Sequence, residues 1–265
     1  YETPAQFGYD IILGFRQIAY REQYDVSVIP VSPEFQEKER YDTYMLKNAY
    51  VGGFMVGFAL QDPWMEQFNT TSIPTALFDY YIRKNPLVGS VGTDSYEGID
   101  DAITHLMRLG HTHIGFINGS RNSMISEQRR QAYIKSMTLH ALPFSEETMP
   151  YGYYVADSAK DYTSGLIDQG ITAILCGNDL IAVGVLRECE RLGVSVPGKV
   201  SVVGFDDLPL SARTRPALTT IRQDRLELGK SGYYTLHSLL SHVSISKTLL
   251  RPQLMVRSST AGVCS

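Results

Sequence analysis

The stretch "ITAILCGNDLIAVGVLRECERLGVSVPGKVSVVGFDDLPLSARTRPALTTIRQ", residues 171–223, decides the fold. An apolar run of strand length ends at Cys176 and is followed by Asn178 and Asp179. An amphipathic stretch, "NDLIAVGVLRECERLG", comes next, and a second apolar run, "KVSVVGF", leads into Asp206 and Asp207. Beyond the two aspartates the pattern breaks up, then turns apolar again towards Ile221. Apolar runs of strand length alternating with amphipathic helices predict parallel sheets covered on both faces.

The rhythm extends in both directions. Helical periodicity appears at Phe7, Ile11, Phe15 and Ile18, followed by a predicted strand in "YDVSVIP". A charged helix is predicted through "PEFQEKERYDTYMLKNA", a strand through "VGGFMVGF", and a short helix near Trp64. Strands "IPTALFD" and "LVGSVGT" precede the helix "SYEGIDDAITHLMRLG", which stops on Gly110. "HIGFING" leads to a helix around "QRRQAYIKSMTLH", and "YGYYV" to one over Tyr162–Gln169. The chain closes with a helix, "LELGKSGYYTLHSLLSH", and a strand, "RPQLMVRSS". About ten strands are too many for one open sheet of this length, so two sheets are predicted. Every later helix follows a strand but the first does not, which leads us to expect a strand upstream of Tyr1.

Composition narrows the function classes. With 43% hydrophobic and 20% charged residues, the 265-residue chain has enough apolar side chains for a sizeable core. Its net charge is −4 and its longest basic cluster is Arg129–Arg130, which argues against this polypeptide gripping nucleic acid by itself. Cys176, Cys189 and Cys264 have no paired spacing, in keeping with a reducing cytoplasm. No apolar run approaches the ~20 residues of a membrane span.

In an open parallel sheet, ligands bind beyond the carboxyl ends of the strands, near helix N-termini. Asp94, Asn178 with Asp179, and Asp206 with Asp207 stand at such ends, and Arg129 and Arg130 lie early in the helix after "HIGFING". Carboxylates, an amide and a guanidinium suit a polyhydroxylated or otherwise polar small molecule. Charge-assisted bonds of roughly 1.5–3 kcal/mol each make three or four of them enough for micromolar binding. Any single member also reads as a helix N-cap, Asp179 above all, and Asp207 as a turn residue.

Catalytic readings find less support. The chain has no nucleophile elbow, phosphate-binding loop, dinucleotide fingerprint or zinc-protease motif. His111 and His113 lack a nearby third metal ligand, and Cys176 reads as a small core residue rather than a nucleophile. Asp94 with Asp206 could form a glycosidase pair, yet nothing tunes one of them as the acid. Neither a cofactor nor a metal is implied.

At these residues the chain resembles the effector-binding core of the lactose-repressor/galactose-repressor family of bacterial transcription regulators. Residues 171–223 carry the most specific part of the likeness; "VGTDSYEGIDDAITHLMRLGHTHIGFINGS" and "RRQAY" carry the next. The resemblance implies an α/β fold of the type I periplasmic-binding-protein kind: two doubly wound parallel-sheet subdomains joined by three crossovers. Residues 1–110 with 224–245 would form one subdomain, and 111–223 with 246–265 the other. It also implies ligand contacts from Asp94, Arg129, Asn178, Asp206 and Gln223 in the cleft between them, with Tyr154 packing on the ligand's face. The effector would be a sugar or sugar derivative, with a purine as a further possibility. The implied partners are operator DNA, reached through an N-terminal helix-turn-helix, and a second copy in a cytoplasmic homodimer with no membrane contact. Tyr9, Ile12 and Tyr20, with Leu208, Leu210 and Pro216, are candidates for the dimer face. The family's headpiece, hinge helix and first strand have no counterpart in the sequence, Ala132 replaces a usual glycine, and Lys199 a usual acid. A solute-binding protein feeding a transporter is the alternative with the same cleft chemistry.

Overall fold

The computed structural model of the chain describes residues 7–263, so Cys264 lies outside the described residues. The chain divides into two compact units, Tyr1–Thr93 with Asp224–Leu250 and Asp94–Gln223 with Arg251–Ser265. Three crossovers therefore link them, as the resemblance implies.

The first unit opens with α1 (Phe7–Arg21), α2 (Pro33–Lys38) and α3 (Tyr41–Lys47), then β1 (Gly53–Met55), α4 (Pro63–Gln67), β2 (Thr75–Phe78) and β3 (Val88–Thr93). The second holds α5 (Ser95–Arg108), β4 (Ile114–Ile117), α6 (Met124–Leu139), α7 (Thr163–Asp168), β5 (Ala173–Cys176), α8 (Asp179–Leu192), β6 (Ser201–Asp206) and β7 (Thr219–Arg222). The chain returns to the first unit for α9 (Arg225–Leu240) and β8 (Lys247–Leu250), and ends with β9 (Gln253–Met255) in the second. One sheet runs β1-β2-β3-β8, all parallel; the other runs β4-β5-β6-β7-β9, parallel except for the last pair.

Alternation explains why the second sheet is apolar on both faces. Phe116, Leu175, Val203 and Phe205 point into one cluster with Ile99, Ile103 and Tyr133 of α5 and α6. Ile117, Ile174, Cys176 and Val202 point into the other, with Ile181 and Val185 of α8. Successive side chains of a strand face opposite ways, so two helical layers need two apolar registers. In the first unit α1 lies directly on α9. A Cβ at Gly14 would collide with the Leu226 carbonyl, and one at Gly229 with the Ile11 carbonyl. The crossing exists because glycine stands on both helices.

Several sequence expectations need correction. The first unit was expected to reach residue 110, but α5 packs on α6 through Ile99, Ile103 and Tyr133 and belongs to the second unit. Likewise β8 ends at Leu250, so the return segment runs past residue 245. The helix expected over 33–49 is two helices, because the Glu39 carbonyl accepts from the Trp64 indole and the Tyr41 amide donates to Gln67. "YGYYV" contributes a single bridge, Asn118 to Tyr151, not a strand. Residues 24–30, expected as a strand, form no regular element and pair with no strand among the described residues. Leu208, a candidate for a dimer face, is buried.

Candidate ligand-binding site

The register of the second sheet brings three strand ends to one edge. Ile117 of β4 pairs with Cys176 of β5, Leu175 of β5 with Val203 of β6, and Asp206 of β6 with Arg222 of β7. The residues just beyond these ends therefore face one another. Gly177 sits where a Cβ would lie 2.7 Å from the Gly119 amide and 2.9 Å from the Asn118 carbonyl carbon, so only glycine lets the two loops approach this closely.

Arg129 is the centre of the cluster and is 3% exposed. It reaches from α6 so that Nη1 donates to the Gly177 carbonyl, and its guanidinium carbon lies 3.8 Å from the centroid of the Phe205 ring. Nη2 is 3.9 Å from Asp206 Oδ1, an ion pair with both side chains buried. Gln223 Nε2 donates to the same Oδ1 at 2.7 Å. Two polar atoms here stay buried without a hydrogen-bond partner: the Arg129 Nε donor and the Gln223 Oε1 acceptor. Such groups cost about 1–3 kcal/mol each unless something pairs with them.

The backbone of the aspartates is unusual. Asp206 has φ +115° and Asp207 φ +51°, both in the region that favours glycine. Asp207 is held by Arg222 Nε at 2.7 Å and Arg257 Nη2 at 2.6 Å, and Arg257 Nη1 also donates to the Leu218 carbonyl. Residues held this way in sparsely populated conformations cluster at functional sites.

Asn178 both caps α8, accepting from the Ile181 amide at 2.9 Å, and donates to the Tyr154 carbonyl at 3.2 Å. Tyr154, at φ +60°, packs its ring on Gly119 and shares its hydroxyl with Ser126 Oγ at 2.5 Å. Arg129, Asp206 and Gln223 are thus in direct contact, and Asn178 and Tyr154 join them through Gly177 and Gly119. Asp94 stands apart among the described contacts: its Oδ1 caps α5, accepting from the Tyr96 and Glu97 amides. Arg130 turns away to pair with Glu146.

Asp179 is no cap. It accepts from the Leu208 amide and Ser211 Oγ through Oδ2, and from Thr220 Oγ1 through Oδ1, tying α8 to the β6–β7 connection. Burial, and then the neighbouring Asp206 charge, push its carboxyl up to about 7. His111 is a buried structural residue, bonded to Thr172, Ser201 and the Ala261 carbonyl, and burial lowers its pKa. Among the described residues no three ligating side chains form a metal-binding group. Burial raises the Cys176 thiol pKa well above its ordinary value, and the side chain lies in the core as expected.

Sequence reasoning passed over Asn118, which accepts from the Gly119 amide and donates to the Ser126 carbonyl. Its signal was present: like Asn178, it stands just beyond a strand end. Phe205 was also missed, because a strand aromatic reads as core.

Residues 103–260 match the family described as periplasmic binding protein-like domain. The chain is similar to the HTH-type transcriptional regulator MalR of Streptomyces coelicolor, 30% identical over 219 residues, 80% of this chain and 63% of that protein. The chain thus spans less than two thirds of that regulator's length. In fold it is similar to the transcriptional regulator CelR in complex with cellobiose, with TM-score 0.85 and 23% identity over 96% of this chain and 79% of the other. The lac repressor dimer bound to operator and an anti-inducer gives TM-score 0.81 and 24% identity over 97% and 90%.

Proposed function

The chain belongs to the periplasmic binding protein-like domain family, and we propose that it is the effector-sensing core of a LacI-type transcriptional regulator. The effector is a sugar or sugar derivative held at Arg129, Asp206 and Gln223. One observation carries this reading: an unpaired buried donor, Arg129 Nε, and an unpaired buried acceptor, Gln223 Oε1, flank one carboxylate. A hydroxyl both accepts and donates, so vicinal hydroxyls can satisfy both atoms at once. Asn178 and Tyr154 complete the contact set, and Asp94 joins them from the start of α5. The cellobiose in the CelR complex is a ligand of the same chemistry.

No bond is made or broken. Binding favours one conformation of the core by its differential affinity. DNA binding resides in a helix-turn-helix outside these residues and works in a cytoplasmic homodimer, as a two-fold operator requires. The sequence likeness to MalR and the fold likeness to the operator-bound lac repressor dimer support a regulator over a transporter's solute-binding protein. A thermal-shift screen of mono- and disaccharides, sugar phosphates and purines tests the reading. A ligand at 100 times its Kd should add about 2.7 kcal/mol of stability. A shift with no sugar or sugar phosphate, and one with purines, would replace the sugar assignment.

A further inference from the structure

Hydrogen bonds at the Arg129 cluster define the charge of the effector as well as its polarity. Asp206 Oδ1 accepts from Gln223 Nε2 at 2.7 Å, and only the amide nitrogen of a glutamine can donate to a carboxylate. The Gln223 carboxamide is therefore fixed, and its Oε1, buried without a partner, needs a donor. Arg129 Nε, also buried without a partner, needs an acceptor. A sugar hydroxyl supplies both. A phosphate dianion or a carboxylate only accepts, so it serves Arg129 Nε but leaves Gln223 Oε1 facing another acceptor.

The charge balance points the same way. Among the described residues Arg129 is the one buried Lys or Arg. Its guanidinium is already paired with Asp206, Nη2 to Oδ1 at 3.9 Å, with both side chains buried. A second buried carboxylate, Asp179, lies close enough to feel the Asp206 charge. Neighbouring arginines have partners of their own: Arg130 pairs with Glu146, and Arg222 and Arg257 with Asp207.

Helix N-termini, the other usual seat of an anion, are served as well. Asp94 caps α5, accepting from the Tyr96 and Glu97 amides, and Glu97 stands in the first turn. Glu127 stands in the first turn of α6, and Asp179 in that of α8, which Asn178 caps. Each of these three helices already has a carboxylate at its positive end.

We propose that the effector is uncharged: the cluster takes an unphosphorylated sugar and rejects sugar phosphates and sugar acids. This rests on the reading of Arg129, Asp206 and Gln223 as the effector site, and narrows it. An anion brought here meets Asp206 and Asp179 in a buried setting, where salt screens least and repulsion is strongest. A neutral ring meets no such barrier and satisfies both waiting atoms.

Two arms test this on the 265-residue chain. In the first, glucose, ribose, maltose and cellobiose are compared by thermal shift with glucose 6-phosphate, ribose 5-phosphate, maltose 6′-phosphate and cellobiose 6′-phosphate. Calorimetry then gives both affinities for any pair that binds. The neutral sugar should bind more tightly than its phosphate by a factor of about ten or more. A smaller ratio, or binding of the phosphate alone, overturns the proposal and leaves the sugar site itself in place. In the second arm inorganic phosphate is the probe, at about 5 mM against chloride of equal ionic strength. It should leave the melting temperature of the parent chain unchanged and raise that of Asp206→Asn, in which Arg129 loses its counter-charge. Phosphate that stabilises the parent overturns the proposal, as does phosphate that stabilises neither chain. If no sugar of either kind binds, the sugar reading fails on its own, and the second arm still decides which charge the cluster accepts. Circular dichroism checks the fold. If Asp206→Asn does not fold, Gln223→Lys, which adds a cation beside the same carboxylate, takes its place with the same expected outcome.

Discussion

Gln223 donates its amide hydrogen to Asp206 at 2.7 Å while its own Oε1 stays buried without a hydrogen-bond partner. The residue that closes the second unit's long segment therefore spends one polar atom on the carboxylate and leaves the other for something else. Arg129 likewise keeps one atom unpaired: Nη2 lies 3.9 Å from the same Asp206 Oδ1, Nη1 donates to the Gly177 carbonyl, and Nε has no partner. The carboxylate is oriented by two residues, each of which keeps one bonding atom in reserve.

Arg129→Ala and Asp206→Ala should each weaken effector binding by about 2–5 kcal/mol, the usual cost of truncating a buried charged partner. Calorimetry with the sugar found by thermal shift reads this directly. Near-native affinity in both variants would remove the site assignment, provided circular dichroism shows that the fold is intact.

Gln223→Glu separates shape from charge. The substitution keeps the volume but sets a second carboxylate against Asp206 Oδ1, where the amide now donates at 2.7 Å. Like charges at this separation disfavour ionisation of both groups. The variant should lose stability as pH rises from 5 to 8 and bind effector more weakly than Gln223→Leu. Urea titrations across that range measure the first effect, and equal affinities for the two variants would contradict the second.

Asp179 gives a pH dependence of definite sign. Its folded-state pKa is pushed up from 3.8 to about 7 by burial and by Asp206. Between these values the folded chain keeps a proton that the unfolded chain has released. Its contribution to stability is therefore present below about pH 4 and is lost as pH rises towards 7, with a slope of at most about 1.4 kcal/mol per pH unit. A proton on Oδ1 can be donated to Thr220 Oγ1, so Asp179→Asn should keep the local bonds and remove this slope. Chemical denaturation of both chains from pH 4 to pH 8 is the measurement.

The architecture was legible because its determinants are local: apolar runs such as 200–205 and helix stops such as Gly110 lie in contiguous sequence. Arg129, Asp206 and Gln223 were legible as a set only through motif resemblance, since one comes from α6 and two from different strand ends, and they meet only in the fold. Asp179 read as a cap and proved a tertiary acceptor, because the two look the same after a strand. Segment 24–30 has a strand's composition, yet pairing depends on a neighbour that no local pattern supplies. The boundary at residue 94 was missed for a similar reason, since only packing on α6 assigns α5 to the second unit.

Gly229→Ala puts helix propensity against packing. Alanine in a helix interior is ordinarily worth about 1 kcal/mol over glycine. At Gly229, however, the added Cβ would collide with the Ile11 carbonyl, a backbone atom that cannot swing aside. The variant should be destabilised by about 1–3 kcal/mol, in the range of overpacking, and a melting temperature above that of the parent chain would refute the close crossing of α1 and α9.

Arg222 and Arg257 clamp the same carboxylate, Asp207, at 2.7 and 2.6 Å, but from different environments. The Arg222 side chain is 45% exposed and that of Arg257 19%. An exposed pair is screened by water and is typically worth ~1 kcal/mol or less. Arg257 also donates to the Leu218 carbonyl at 2.8 Å, so its loss leaves two partly buried acceptors less well served. Arg257→Met should therefore cost about 2–3 kcal/mol of stability and Arg222→Met about 1 or less. Asp207 follows Asp206 directly, and both hold left-handed backbone. Loosening the clamp should let Asp206 relax, so Arg257→Met should also raise the effector Kd about tenfold without touching a ligand contact. If the two methionine variants match each other in stability and in Kd, the clamp does not position Asp206.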